Sequence, residues 1–176
     1  MKPIQIKTTA DDHRIAKLAA FAIALHMVEA VIPSPLPGVK PGIANIVTLY
    51  VLYQYGYNTA AWVSILRVFA SSLLLGQFLS PTFVLSLSGA MFSLGILWLA
   101  FKLPKKYFGP VSLSILAAFA HIAGQLIMVR LWLIPHAGVA YLVPFFALAA
   151  LFFGLVNGLI TSRLLANDWR KMANNE

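Results

Sequence analysis

Long apolar runs that recur between short polar or proline-containing segments are the strongest constraint on the fold of this chain. Of its 176 residues, 60% are hydrophobic and 10% are charged, and the mean hydropathy is +0.83. A soluble domain needs a polar surface that this composition does not supply. A membrane-spanning helix takes about 20 residues, so the chain can cross six times with short loops. We therefore predict an all-α integral membrane protein with a six-helix bundle.

Proline, glycine and polar residues mark the predicted helix boundaries. A loop over 33–42 contains four prolines and two glycines. The second helix that follows it is only about half a full span. The six predicted segments are the apolar run 18–32, a short second helix 43–53, a third helix from an Asn58 cap to Leu79, and helices 82–101, 110–133 and 141–165. The corresponding domains are a cytoplasmic segment 1–17, a transmembrane domain 18–165 and a cytoplasmic tail 166–176.

The distribution of basic residues predicts the orientation in the membrane. The chain has 13 Lys and Arg against 5 Asp and Glu, a net charge of +8. The Lys and Arg residues form no compact basic face, so no nucleic acid is expected as a partner. They gather instead in the N-terminal segment, in loop 102–109 and at the C-terminus, which by the positive-inside rule indicates an N-in/C-in multi-pass protein of the cytoplasmic (inner) membrane. The absence of cysteine excludes disulfides, thiolate metal sites and thiol nucleophiles.

A few strongly polar side chains lie inside the predicted spans, where insertion costs a few kcal/mol each, so they are candidates for function. They are His26, Glu29, Asn45, Arg67, His121 and Gln125. An ion pair between Glu29 and Arg67 is the simplest way to keep both charged in a low dielectric. A structural clamp and a ligand contact both remain open for this pair. The two histidines and one glutamate match no metal-ligand spacing, so we expect no metal site and no cofactor.

The start of the second helix is a second candidate for ligand contact. Because this helix is short, its N-terminus is expected below the outer membrane surface, with free N–H groups at Gly42 and Asn45 facing an outward cavity. Lys40 just before it and Arg67 deeper in the membrane make such a cavity attractive to a carboxylate, a phosphate or an electron-rich ring. Alternatively, the glycine only permits a tight turn and Lys40 snorkels to lipid headgroups.

Small residues recur at helix-packing spacing in two helices. Ala16, Ala20 and Ala24 form a row on the first helix, and Gly154 and Gly158 form a G-x-x-x-G pair on the sixth. Such rows permit close helix contact inside a bundle or docking of another subunit, and internal packing is the favoured interpretation.

Several motifs together resemble a known family. They are EAVIPSPLPGVKPGIANIVTL (29–49), Arg67 within ILRVFASSLLLGQF (65–78), the Ser-Gly-Ala of 88–90, and SLSILAAFAHIAGQ (112–125). The chain resembles the Gx transporter family, also named heptaprenyl diphosphate synthase component I. Pro41 stands where a small apolar residue such as leucine is expected. The family is similar to the substrate-binding S components of energy-coupling-factor transporters.

This resemblance implies a substrate-binding membrane component of an importer that captures a vitamin, cofactor or isoprenoid/quinone precursor at the outer face. The cavity would lie under the loop between the first two helices, and the alanine row would dock on a coupling transmembrane subunit with ATPases. The chain has no phosphate-binding P-loop of its own. The expected ligand contacts are Glu29, Lys40, Gly42, Asn45, Arg67, His121 and Gln125.

Two alternatives stand beside the importer. The first is a non-transporting membrane subunit of a flavin-dependent electron-transfer or isoprenoid/quinone-related assembly, with an exported NusG-II-like protein as partner. The second is an enzyme acting on lipid-linked substrates. Prenyl diphosphate synthases hold Mg²⁺ with aspartate-rich motifs, and magnesium requires oxygen ligands. The chain's one acidic pair, Asp11–Asp12, lies in the polar N-terminal segment, so no enzymatic activity is expected.

Overall fold

The computed structural model describes residues 8–31, 42–103 and 108–173, and these residues form helices and turns without a strand. The described helices confirm the prediction of an all-α fold with six α-helices. Their bounds are α1 Ala10–Val31, α2 Ile43–Tyr55, α3 Tyr57–Leu74, α4 Pro81–Ala100, α5 Pro110–Met128 and α6 Val143–Ala173. A π-helical turn, Val129–Leu133, extends α5, and a 3₁₀ segment, Ala137–Leu142, leads into α6.

Helix α1 begins inside the polar N-terminal segment rather than at the apolar run. The Thr9 hydroxyl accepts a hydrogen bond from the Asp12 N–H at 3.2 Å, and the Asp12 carboxylate accepts one from the Thr9 N–H at 2.8 Å. This reciprocal capping box satisfies N–H groups that otherwise have no helical partner. The cap therefore starts the helix at Ala10 and makes residues 10–17 part of α1.

Two glycines in unusual backbone conformations limit the short α2. Gly42 precedes it with φ +69° and Gly56 follows it with φ +85°, values that glycine adopts without a steric penalty. The prediction of a short second helix is confirmed, since α2 has 13 residues. The predicted Asn58 cap on α3 is wrong, because α3 begins at Tyr57 directly after Gly56.

The predicted end of α3 at Leu79 is also wrong. The helix ends at Leu74, and the chain then turns through Gly76 and Leu79, whose φ angles are +65° and +60°. Leucine rarely adopts a left-handed conformation, so the presence of a leucine at position 79 does not predict a turn there. Ser80 then caps α4 by accepting a hydrogen bond from the Phe83 N–H at 3.3 Å.

Helix α5 packs between α4 and α6, while α2 packs against α1, α3 and α6. The interior between these helices holds the largest fully buried side chains, among them Leu49, Leu52, Leu97 and Leu113. Seven residues of α2 are buried, so this short helix lies largely inside the bundle. Its N-terminus consequently faces other helices instead of lipid.

The glycine pair of α6 packs inside the bundle, as predicted. A Cβ added at Gly158 would lie 2.7 Å from the Val111 Cα, and one at Gly154 would lie 3.0 Å from the Ile115 Cα. Both positions contact the backbone of α5. The pair therefore sets how closely α5 and α6 approach.

The alanine row of α1 does not pack inside the bundle. Ala16, Ala20 and Ala24 are all exposed, while the buried residues of α1 are Ala19, Ala22 and Glu29. Internal packing, the interpretation favoured for this row, is therefore wrong. A different face of α1, which contains Ala19, Ala22 and Glu29, contacts the interior of the bundle.

Three helical segments are long and apolar enough to cross a membrane by length and composition: Pro81–Ala100, Pro110–Leu133 and Ala137–Asp168. Of the others, α1 carries several charged residues, α2 has 13 residues and α3 contains Arg67. These apolar segments identify a membrane protein. Helix α6 itself continues to Ala173, beyond the predicted end at Leu165.

Candidate ligand cavity

A cavity of about 340 Å³ lies between the helices, and all six contribute to its wall. Its lining comes from the second halves of α1, α3 and α5, the start of α2, the first turns of α4 and the first half of α6. The chain connectivity therefore places it toward the end of the bundle where α1 stops and α2 starts. The volume falls near the lower limit of small-molecule pockets, which span about 300–1,000 Å³.

The two sides of this cavity differ in chemistry. The side formed mainly by α1–α4, together with two residues of α5, is polar. Its polar residues are His26, Glu29, Asn45, Arg67, Thr82, Ser86, His121 and Gln125. The side formed by α5 and α6 is mostly apolar, and its larger members are Ile122, Leu126, Val129, Phe146 and Phe153. Such a cavity suits a molecule with one polar end and one apolar end.

Arg67 is the cation of the polar side. Its side chain is 5% exposed, and one terminal nitrogen donates a hydrogen bond to the Asn45 Oδ1 at 3.1 Å. Its Nε is buried without a hydrogen-bond partner. Among the described residues no Glu29–Arg67 ion pair within 4.0 Å is present, so the predicted pair is wrong. The neutral amide of Asn45 takes the place of the carboxylate as acceptor.

Glu29 is held by the start of α2 instead. Its side chain is 2% exposed, and its carboxylate accepts a hydrogen bond from the Gly42 N–H. The Gly42 carbonyl in turn accepts a hydrogen bond from the Asn157 Nδ2 of α6 at 3.1 Å. An acid at a helix N-terminus is stabilised by the dipole and by free N–H groups, which explains why Glu29 contacts Gly42.

His121 occupies space that a glycine leaves open. A Cβ added at Gly89 of α4 would lie 2.6 Å from the His121 Nε2, so any larger residue there would displace the imidazole. The His121 Nδ1 is buried without a hydrogen-bond partner. The Ser88 hydroxyl donates to the Gly124 carbonyl at 2.7 Å and fixes α4 against α5 at this level. The imidazole is thereby held at the cavity wall.

The structure brings together the sequence-predicted site residues that it describes. Six of the seven line the cavity: Glu29, Gly42, Asn45, Arg67, His121 and Gln125. Lys40, like most of the predicted loop 33–42, lies outside the described residues. Sequence reasoning missed the α4 residues Thr82 and Ser86, although their i, i+4 spacing places them on one helix face. It also missed Phe146 and Phe153, which nothing distinguishes from the other apolar residues of α6.

The comparison with known proteins decides the family. Residues 18–164 match the family model for heptaprenyl diphosphate synthase component I. The chain belongs to this family. The matched segment contains every residue that lines the cavity. No curated protein and no solved structure matches the chain.

The acidic pair of this heptaprenyl diphosphate synthase component I member lies far from the cavity along α1. Asp12 belongs to the α1 cap, and Asp11 forms an ion pair with Arg14 at 3.1 Å. Within the described ranges no group of three or more His, Asp or Glu residues is arranged to hold a metal ion. Both aspartates therefore have local structural partners at the opposite end of the helix from Glu29.

Proposed function

We propose that this chain is the substrate-binding membrane component of a small-molecule importer, with the ligand held in the cavity between the six helices. The ligand enters from the outer face, and the chain itself carries out no chemical step. The observation that supports this proposal most directly is the cavity's polar side, where Arg67, His121 and Gln125 line one space within otherwise apolar helices. Strongly polar side chains are costly inside membrane helices, so their convergence on one cavity favours a polar ligand.

An N-in/C-in, S-component-like arrangement in the cytoplasmic membrane supports capture from outside. Five exposed basic residues lie toward the bundle end opposite the cavity: Arg14, Lys17, Lys102, Arg163 and Arg170. Arg130, near the cavity end, is the exception among the exposed basic residues that the structure describes. Basic residues favour the cytoplasmic side of a membrane. With the basic end inside, the cavity occupies the outer half of the bundle, where a binding component of an importer needs it.

Filling the cavity is expected to abolish ligand retention without unfolding the protein. Ala149 lines the cavity on α6, and Ala149→Trp introduces a ring into a space of about 340 Å³. We expect native mass spectrometry of the wild-type protein, extracted in mild detergent, to detect a bound small molecule. The Ala149→Trp variant should retain at most about a tenth of that occupancy, a loss of about 1.4 kcal/mol or more in binding.

Leu148→Trp is the matched control, because Leu148 is the preceding residue of α6 and is 67% exposed on the outside of the bundle. It should keep wild-type occupancy, and both variants should elute as the same single species in gel filtration. A bound molecule that survives Ala149→Trp would contradict the cavity as the binding site. A wild-type protein without any bound molecule, even from cells grown in rich medium, would contradict the importer proposal.

The alanine row of α1 is the proposed docking surface for a coupling transmembrane subunit with ATPases. Three observations support this role: Ala16, Ala20 and Ala24 are exposed, they follow one another at four-residue spacing, and they belong to a helix that also carries cavity residue Glu29. Small residues allow two helix backbones to approach closely. Docking on α1 would thus connect the coupling subunit to the cavity through a single helix.

Ala20→Leu should prevent assembly with the coupling subunit while leaving ligand binding intact. The larger side chain keeps a partner helix from the close approach that alanine permits. Co-purification from native membranes measures assembly, and native mass spectrometry measures ligand occupancy. The matched control is Phe21→Leu, which places the same leucine at the next, 60% exposed position of α1 without enlarging the side chain. This control should assemble normally, and undiminished assembly of Ala20→Leu would rule out the alanine row as the docking surface.

A further inference from the structure

We propose that the ligand is a small monocarboxylate with a compact aromatic body, its carboxylate at Arg67 and its ring against the apolar residues of α5 and α6. This inference rests on the proposed function and specifies the chemistry of the same cavity. It follows from three features of the described wall: unused donors at Arg67, the position of Glu29, and the apolar surface of α5 and α6. Each feature restricts the ligand in a different way.

The donors of Arg67 require an acceptor that the described residues do not supply. A guanidinium carries five N–H groups, and one hydrogen bond joins it to a described residue, the bond to Asn45. The Nε is shielded from the cavity, and the side chain lines the cavity and is 5% exposed, so the remaining terminal N–H groups are the donors open to a ligand. A carboxylate matches the planar fork of a guanidinium with two parallel hydrogen bonds. A ligand carboxylate at this position would accept hydrogen bonds that no described residue accepts.

The charges of the wall favour a single negative charge on the ligand. Arg67 is the one Lys or Arg among the described lining residues, and Glu29 is already an anion on the same polar side. A dianionic phosphate would bring two negative charges near Glu29 with one guanidinium to oppose them, and like charges in a low dielectric are strongly unfavourable. A carboxylate adds half the negative charge of that dianion and therefore meets less repulsion from Glu29.

The apolar part of the wall, on α5 and α6, fits a flat apolar group of limited size. Phe146 and Phe153 are separated by two turns of α6 and line the cavity together with Ile122 and Leu126. Aromatic rings pack favourably against other rings in offset or edge-on arrangements. A volume of about 340 Å³ suits one or two fused rings better than a long polyprenyl chain.

Three probes that share one ring system test this inference on the full-length protein in detergent. They are 2-naphthoate, its neutral amide 2-naphthamide, and 2-naphthyl phosphate, with binding followed by calorimetry. We expect 2-naphthoate to bind at least tenfold more tightly than either of the others. Arg67→Met should remove the preference over the amide, and Arg163→Met, which changes an exposed arginine of α6, should preserve it.

The outcomes separate the ligand class from the function. Equal affinity for 2-naphthoate and 2-naphthamide would overturn the anionic ligand, and tighter binding of 2-naphthyl phosphate would overturn the single charge. Failure of all three probes to bind would overturn the aromatic body. In each case the importer proposal stands if a co-purified molecule is lost in Ala149→Trp. If Arg67→Met does not fold, Arg67→Lys keeps the charge but not the fork, and it should also reduce the preference at least threefold.

Discussion

Gly158→Ala should lower the melting temperature of the purified protein by several degrees. The added Cβ would lie 2.7 Å from the Val111 Cα and 2.9 Å from the Ser114 Cβ, closer than packed carbon atoms approach. The Val111 Cα is backbone and cannot rotate away, so α5 and α6 must separate. Overpacking of this kind costs about 1–3 kcal/mol. Thermal unfolding in mild detergent, followed by intrinsic fluorescence, measures the change.

Gly95→Ala is the matched control in the same background. Gly95 is also inside an apolar helix, but a Cβ there would meet no atom within 4 Å. Alanine is the better helix former by about 1 kcal/mol, so this variant should be unchanged or slightly more stable. Equal destabilisation by both substitutions would mean that the glycines contribute helix flexibility and that the α5–α6 contact contributes little.

Much of the helix order could be predicted because the chain marks its breaks with residues that restrict the backbone. Proline occupies the first position of α4 and of α5, and glycine precedes and follows the short α2. These residues act locally, so their effect does not depend on the rest of the fold. Helix number and the short α2 were therefore predictable from sequence.

The remaining boundaries depend on interactions that a sequence pattern does not reveal. Helix α3 ends before a turn in which Leu79 adopts a left-handed conformation, for which leucine has no preference. Likewise, the alanine row of α1 and the glycine pair of α6 have the same four-residue spacing, yet only the glycines pack internally. The neighbouring helices determine which face of a helix packs inside the bundle. The spacing of small residues along the sequence does not determine it.

The site could be predicted in part for a different reason. Placing a polar side chain in lipid costs free energy, so polar residues are rare in apolar helices. Arg67, His121 and Gln125 were identifiable as cavity residues for this reason alone. Their hydrogen-bond partners were not identifiable. Glu29 contacts Gly42 rather than Arg67, because the start of α2 brings a free N–H group to the carboxylate. The apolar half of the cavity has no sequence signal, since its residues resemble those that face lipid.

Glu29→Met should destabilise the protein by about 1–3 kcal/mol, the cost of leaving a buried hydrogen-bonding group without its partner. Methionine preserves much of the side chain's size but accepts no strong hydrogen bond from the Gly42 N–H, which holds the start of α2. It also removes the negative charge from the side of the cavity that contains Arg67. We expect a lower melting temperature in mild detergent.

Glu29→Gln separates these two effects, because the glutamine carbonyl can still accept from Gly42 while the charge is lost. If the hydrogen bond is the main contribution, Glu29→Gln should recover at least half of the stability that Glu29→Met loses. It should also bind 2-naphthoate more tightly than the wild-type protein, since the ligand carboxylate no longer meets a second anion. Equal melting temperatures for the two variants would instead assign the stabilisation to the charge of Glu29, with the N–H group of Gly42 contributing little.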